Sequence, residues 1–228
     1  MALCRIPGIT VSTALAHRLP ARKSFRETQF EVREEAILDA THRLLAVKGY
    51  EPMAMDDIAA EVGIAKGSLY KHFESKDALV AAVMIRLLKR TRDALAALPV
   101  DLSAGERLAG LLRWTLNERL AGGVPHLPST SQVLRDSLLG NRHYVDELLQ
   151  LSEDVSVLIR AAKAEGSLRG DLDDEFILYT FYARSCDPTL DFLRLGGSIP
   201  DARIVDQLVT ACFGGIGPAI AAPDKADS

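Results

Sequence analysis

Apolar residues recur along this chain at three- and four-residue intervals, with almost no sustained alternation of the kind a strand needs. Ile37, Ala40, Leu44 and Leu45 share one helical face, with Phe30 a heptad earlier, which predicts a first helix over about 30–48. Gly49 and Pro52 end it. Ile58, Ala59 and Val62 make a short second face before Gly63. Leu69 and Phe73 make a third, on a helix expected from about Lys66 to Phe73. Leu79, Val80, Val83, Met84, Leu87, Leu88 and Leu95 then line one side of a long helix that starts near Ser75 and stops before Pro99. Ser103 and Glu106 stand at capping-box spacing, and a helix from there reaches about Leu120. Further helices are expected over about 130–139 and 144–165, from Asp173 onward, from Asp187-Pro188 to Gly196, and over about 200–213. The pattern predicts an all-α protein.

The 228 residues are 48% hydrophobic and 25% charged, which suits a globular chain of one or two domains. No apolar run reaches the roughly 18 residues a membrane-spanning helix requires. Cys4, Cys186 and Cys212 form neither a CxxC pair nor a zinc-like spacing, so they read as reduced thiols in a cytoplasmic protein.

Charge changes the picture more. The net value of −4 is unevenly spread. Residues 1–30 hold Arg5, Arg18, Arg22, Lys23 and Arg26 against Glu27 alone, while residues 96–228 carry −7. A basic end on an acidic body suggests an anionic partner at that end. Residues 1–29 read as a flexible basic arm. The Ala14-Leu15-Ala16 run resembles a cleavage site, but polar residues interrupt the stretch before it and the basic residues mostly follow it.

The stretch MDDIAAEVGIAKGSLYKHFESKDAL, Met55 to Leu79, concentrates the candidate chemistry. Gly63 permits the positive φ of a tight turn, Ile64 plugs the bend, and small Ala59 lets two helices cross closely. Ile58, Ala59, Val62, Gly63, Ile64 and Phe73 thus form the core of a helix-turn-helix. Lys66, Gly67 and Ser68 lie in the first turn of its second helix, where such elements meet base edges. Tyr70, Lys71, His72 and Lys76 supply donors for phosphate oxygens. On spacing alone, a solvated bend in a helical bundle reads almost as well.

The string VGIAKGSLYKHFESKDAL closely resembles the DNA-binding signature of the TetR/AcrR family of bacterial transcriptional regulators, and the likeness covers about residues 30–80. The resemblance implies a three-helix DNA-binding domain over 30–76. A fourth helix would link it to a helical regulatory and dimerisation domain over 77–220, followed by a loose tail over 221–228. It implies homodimers on near-palindromic double-stranded operators, and a repressor released by a small-molecule effector. Carried over, Lys66, Ser68 and Leu69 would face bases, with a core role for Leu69 equally open. Tyr70, His72 and Lys76 would hold phosphates. The sequence departs from the pattern at Ala54 and Ala65, where the family usually has a capping hydroxyl. The basic arm would make up for the weaker anchoring.

In the second half, Trp114, Tyr144, Phe176, Tyr179 and Tyr182 are candidate pocket residues, since aromatic bodies with polar tips suit an amphipathic ligand. The absence of a charged cluster among them favours a neutral, largely apolar effector. By family analogy the last two helices form the dimer interface, through Phe192, Leu195, Val205, Leu208, Val209 and Cys212. His126 and His143 read as loop or surface residues without metal-ligand spacing. No catalytic motif, metal site or cofactor motif is recognisable, so an enzyme is not expected. The alternative from another class is a helical interaction or sensor protein with weakened or lost DNA binding.

Overall fold

The computed structural model describes residues 24–122 and 131–214, and every regular element among them is a helix. The first 23 residues of the basic arm, His126 and the C-terminal tail lie outside the described residues. The elements are α1 (Phe25–Lys48), α2 (Met55–Val62), α3 (Lys66–Leu69), α4 (Lys76–Ala97), α5 (Ala104–Leu120), α6 (Gln132–Leu139), α7 (Arg142–Ala164), α8 (Asp174–Ser185), α9 (Thr189–Gly196) and α10 (Asp201–Gly214).

Helix α1 starts five residues before the expected Phe30 and takes in the end of the basic arm. Ser24 explains the difference. Its hydroxyl accepts from the Glu27 N–H at 3.2 Å, and the Glu27 carboxylate accepts from the Ser24 N–H at 2.7 Å. This reciprocal capping box satisfies two donors that would otherwise lack partners, so a polar turn with no apolar face still joins the helix.

Helix α3 is shorter than expected, with only Lys66–Leu69 regular. The chain past it tightens into turns. Lys71 and His72 donate to the carbonyls three residues back, at 3.2 and 3.0 Å, before Phe73 returns to a four-residue bond with Leu69.

The packing follows the apolar stripes. Ile37, Leu45, Ile58, Leu69 and Leu79 close the core beneath α1–α3. Leu108, Leu111, Leu112, Leu116, Leu138 and Ile159 close the larger bundle of α5–α7. Helix α4 belongs to both, packing on α1 at one end and on α5, α6 and α7 at the other. Two ion-pair sets fix it: Arg86 to Glu35 and Asp39 of α1, and Arg92 to Glu147 and Asp154 of α7.

A second tie joins the two parts. Glu51, in the loop between α1 and α2, accepts a hydrogen bond from the hydroxyl of Ser131, which also caps α6 by accepting from Leu134 N–H at 3.2 Å. The same loop is held against the start of α4. Lys76 donates to the carbonyls of Tyr50 and Met53 at 3.0 and 3.2 Å, and its ammonium lies 4.2 Å from the centre of the Tyr50 ring.

Candidate nucleic-acid interface and effector cavity

The turn between α2 and α3 is a Schellman motif built on Gly63. The residue is left-handed, at φ 73° and ψ 33°. Gly63 N–H bonds to Ala60 O at 3.2 Å, and Ile64 N–H reaches back to Ala59 O at 3.0 Å. Ile58 and Ala59 are buried, Phe73 is nearly so, and Val62 and Ile64 are half-buried against the same core. All six residues read as the core of the element therefore lie together.

At the start of α2, Ala54 has no side-chain cap. Asp57 supplies half of one, accepting the Ala54 N–H at 3.0 Å. That bond, with Lys48 at 2.9 Å, holds the Asp57 carboxyl below the usual carboxylate range. Ala65 likewise offers α3 no side-chain cap.

The exposed surface of α3 is smaller than the candidate set. Lys66, Gly67, Tyr70 and Lys71 are exposed and Ser68 is half-exposed. A Cβ built on Gly67 would meet nothing within 4 Å, so no packing inside the protein demands glycine there. Three expected members point elsewhere. Leu69 is fully buried, in the same core as its period-of-four partner Phe73. The His72 side chain is 2% exposed, stacks on Phe30 with ring centres 3.9 Å apart, and turns Nδ1 towards Glu34. The Lys76 ammonium is engaged by loop carbonyls and the Tyr50 ring.

Asp56 flanks the remaining surface. Its carboxylate pairs with Lys66 at 2.8 Å and pushes the lysine above its usual value. Across this surface, lysine, hydroxyl and phenol donors converge beside an open glycine, the chemistry that fits phosphate oxygens and base edges.

The larger bundle holds a cavity of about 340 Å³ between α4, α5, α7 and α8. Tyr144 and Tyr182 line it, as expected. Trp114 does not; it is half-buried on the neighbouring face of α5. Phe176 lines a second cavity of about 280 Å³, and Tyr179 is exposed. Sequence reasoning missed Met84, Leu87, Leu88, Leu148, Leu151 and Cys186 as lining residues, because nothing distinguishes a residue facing a cavity from one filling a core.

Among the described residues that wall the first cavity, no side chain is charged. Four of the five hydroxyls on its walls, all but that of Tyr144, are already committed within the protein. Thr91, Thr115 and Ser185 each donate to the carbonyl four residues back, at 2.9, 2.9 and 3.2 Å, and Tyr182 shares a 2.9 Å bond with Ser152. Burial pushes the Tyr144 phenol and the Cys186 thiol up, so both stay neutral. The described residues contain no group of side chains that could hold a metal ion.

The expected interface stripe divides in two. Val205, Leu208 and Val209 are buried within the protein's own core, and Cys212 packs against it. Phe192 and Leu195 are 71% and 85% exposed. Helix α10 lies on α5, which covers its apolar face without a second copy.

A helix-turn-helix domain is thus joined through one long helix to a helical bundle with an apolar cavity. Residues 37–83 match the family model for bacterial regulatory proteins of the tetR family. It is 32% identical over 142 residues to the HTH-type transcriptional regulator MT0489 of Mycobacterium tuberculosis (strain CDC 1551 / Oshkosh), covering 58% of each chain. The chain thus spans little more than half the length of that relative. It is 25% identical over 190 residues to the HTH-type transcriptional repressor KstR2 of Rhodococcus jostii (strain RHA1), covering 81% of this chain and 91% of the other. Among solved structures, AibR in complex with isovaleryl coenzyme A and operator DNA shares the fold. The TM-score is 0.63 at 21% identity, over 79% of this chain and 98% of that one.

Proposed function

We propose that this protein is a sequence-specific DNA-binding transcriptional repressor, released from its operator by a small, largely apolar effector. One observation carries the reading. Helix α4 begins at Lys76, which clamps the loop entering the helix-turn-helix, and continues into the cavity wall at Met84, Leu87, Leu88 and Thr91. A molecule seated in the cavity therefore touches the same rigid element that supports the DNA-binding surface.

The DNA-facing set in this reading is Lys66, Gly67, Ser68, Tyr70 and Lys71. Lys66 and Ser68 read base edges, and Tyr70 and Lys71 hold phosphates. Leu69 and His72 are packing residues, and Lys76 orders the loop. Two copies bind a near-palindromic operator, their α3 helices about 34–36 Å apart so as to meet successive major grooves. Phe176 and Tyr179 of α8, with Phe192 and Leu195 of α9, form an exposed apolar set suited to pairing the copies. The protein acts in the cytoplasm as a binder, with no reaction to catalyse.

The effector enters the 340 Å³ cavity, a size at the lower end of the roughly 300–1,000 Å³ typical of ligand sites. The uncharged walls favour hydrocarbon; the ligand named for AibR, isovaleryl coenzyme A, carries a short acyl group of that kind on a charged carrier. Binding displaces α4 and alters the separation of the two α3 helices. It releases DNA only because the effector prefers the displaced conformation.

Fluorescence anisotropy with a duplex from the promoter of its own gene and a random duplex, across a salt series, tests the reading. Tighter binding to the promoter that weakens with salt is expected. Binding to neither duplex would leave the sensor alternative, which the Lys66–Asp56 pair and the missing caps at Ala54 and Ala65 favour.

A further inference from the structure

The two cavities follow one another along the same three helices. The first is bounded by Leu111 of α5, Val155 of α7 and Phe181 of α8; the second by Leu108, Ile159 and Ile177 of those helices. Each pair is three or four residues apart, about one helical turn or 5.4 Å along its helix, so the two cavities are neighbours along these helices. Phe181 bounds both and is only 5% exposed. Its ring meets Tyr182 edge-on, with centres 6.4 Å apart and planes at 62°, and Tyr182 is anchored through its hydroxyl to Ser152. Phe181 therefore stands at the border of both spaces, in contact with an anchored neighbour.

We propose that Phe181 is the specificity-determining residue of the effector site, setting the longest hydrocarbon chain that it accepts. This rests on the reading of the first cavity as the effector site. An unbranched chain lies along α4 and α7 in the 340 Å³ space, and its terminal methyl stops at the Phe181 ring. The 280 Å³ beyond continues in the same direction and is apolar on the sides contributed by Leu108, Ile159 and Ile177. Removing the ring joins the two spaces into one compartment nearer the middle of the usual range of ligand-site volumes. The class of ligand follows from the walls: with four of the five hydroxyls of the first cavity committed internally, no charged side chain on its walls, and Arg169 at the second cavity paired with Asp171, added methylenes are the part of a ligand that gains most from deeper entry.

Calorimetric titration of the full chain with primary alkanols, from n-butanol through n-octanol to n-dodecanol, tests this. These probes have an uncharged head suited to the neutral cavity. Each further buried methylene tightens binding roughly fourfold. For the native protein, affinity should climb with length and then level off. For Phe181→Ala it should keep climbing, leaving n-dodecanol more than tenfold tighter than on the native protein. Phe181→Leu should shift the break in the same direction by less, which guards against misfolding of the alanine variant. Adding Cys212→Trp to Phe181→Ala refills the second space and should restore the native limit. The same break in the native protein and in folded Phe181→Ala and Phe181→Leu overturns the partition and leaves the effector site standing. If no alkanol binds the native protein or any variant, the effector reading fails and the partition with it.

Discussion

The hydroxyl of Ser131 donates to the carboxylate of Glu51, so the residue that caps α6 also holds the loop entering the helix-turn-helix. The bond draws the Glu51 carboxyl below its usual value. Eighty residues apart in sequence, the two make a direct polar link between the halves of the molecule, separate from the route along α4.

This link predicts a variant that senses without responding. Glu51→Gln keeps the Ser131 cap on α6 and loses only the charged acceptor. Effector and operator should each bind Glu51→Gln almost as before, while the fold-change in operator affinity caused by effector shrinks severalfold. Anisotropy with and without effector measures it. Ser131→Ala should do the same and also lower stability by about 1 kcal/mol, through loss of the cap. An undiminished coupling in both variants would leave α4 as the sole route.

Lys76 and Lys71 should behave differently although both are basic and close to the interface. Lys71→Ala removes an exposed phosphate donor, so it should weaken binding equally on all sequences and reduce the salt slope by about 1. Lys76→Met instead strips Tyr50 and Met53 of a charge-assisted donor, and should lower stability by about 2 kcal/mol. Thermal melting and the salt slope separate the two. A reduced slope with an unchanged melt for Lys76→Met would mean that its ammonium reaches DNA after all.

Tyr50 should titrate late. Burial, and donation of its hydroxyl to Asp77, push the phenol up to about 12 from an ordinary 10. The fold favours the protonated form, so this contribution to stability is complete below pH 10 and is lost as pH rises through about 12. An ultraviolet titration of the native protein should show several late tyrosines, since burial also raises Tyr144 and Tyr182, and the one near 12 should be missing in Tyr50→Phe.

His42 gives the opposite sign at the acid end. Burial lowers its imidazole from 6.5, with Arg86 and Arg90 adding to the effect against Asp39 and Glu118, and Nε2 has no partner among the described residues. The fold favours the neutral ring. Its stabilisation is present above pH 6.5 and is lost as pH falls through the lowered value. Melting temperature against pH should flatten in that acid range for His42→Gln, relative to the native protein.

Gly63→Ala should cost about 1–2 kcal/mol, since a Cβ is disfavoured at φ 73° although the space around it is open. Denaturant midpoints measure this. A neutral substitution would show that the turn relaxes without left-handed geometry.

The helix-turn-helix was legible because its constraints are local. A left-handed glycine, a plug at Ile64 and a buried pair at Leu69 and Phe73 leave marks at fixed offsets. The true start of α1 was legible too, since Ser24 and Glu27 have the same spacing as Ser103 and Glu106; a search for apolar faces passes over a turn that has none. What could not be read was a long-range bond from a side chain to main-chain carbonyls. The partners of Lys76 are loop carbonyls, which every residue has, so its sequence looked like that of a phosphate donor. The cavity was hidden for a related reason. Leu87 and Leu88 belong to the same apolar stripe as Leu79 and Val80, and only three-dimensional packing decides which of them meets a neighbour and which meets space. Val205, Leu208 and Val209 show this at the other end of the chain, where a stripe that suited a partner copy closes on α5.

The pair between Lys66 and Asp56 bears on how a DNA reader searches. At 2.8 Å the carboxylate occupies the lysine much as a phosphate oxygen would. Any duplex that meets this surface exchanges one anionic contact for another, and little is gained on arbitrary sequence. Only a site that also satisfies Ser68 and Tyr70 adds contacts that Asp56 cannot imitate. The aspartate is thus a built-in competitor. If the proposed DNA-facing set is correct, it would shorten the protein's stays on the bulk of a chromosome, and so leave more of it free to find the few positions where it should remain.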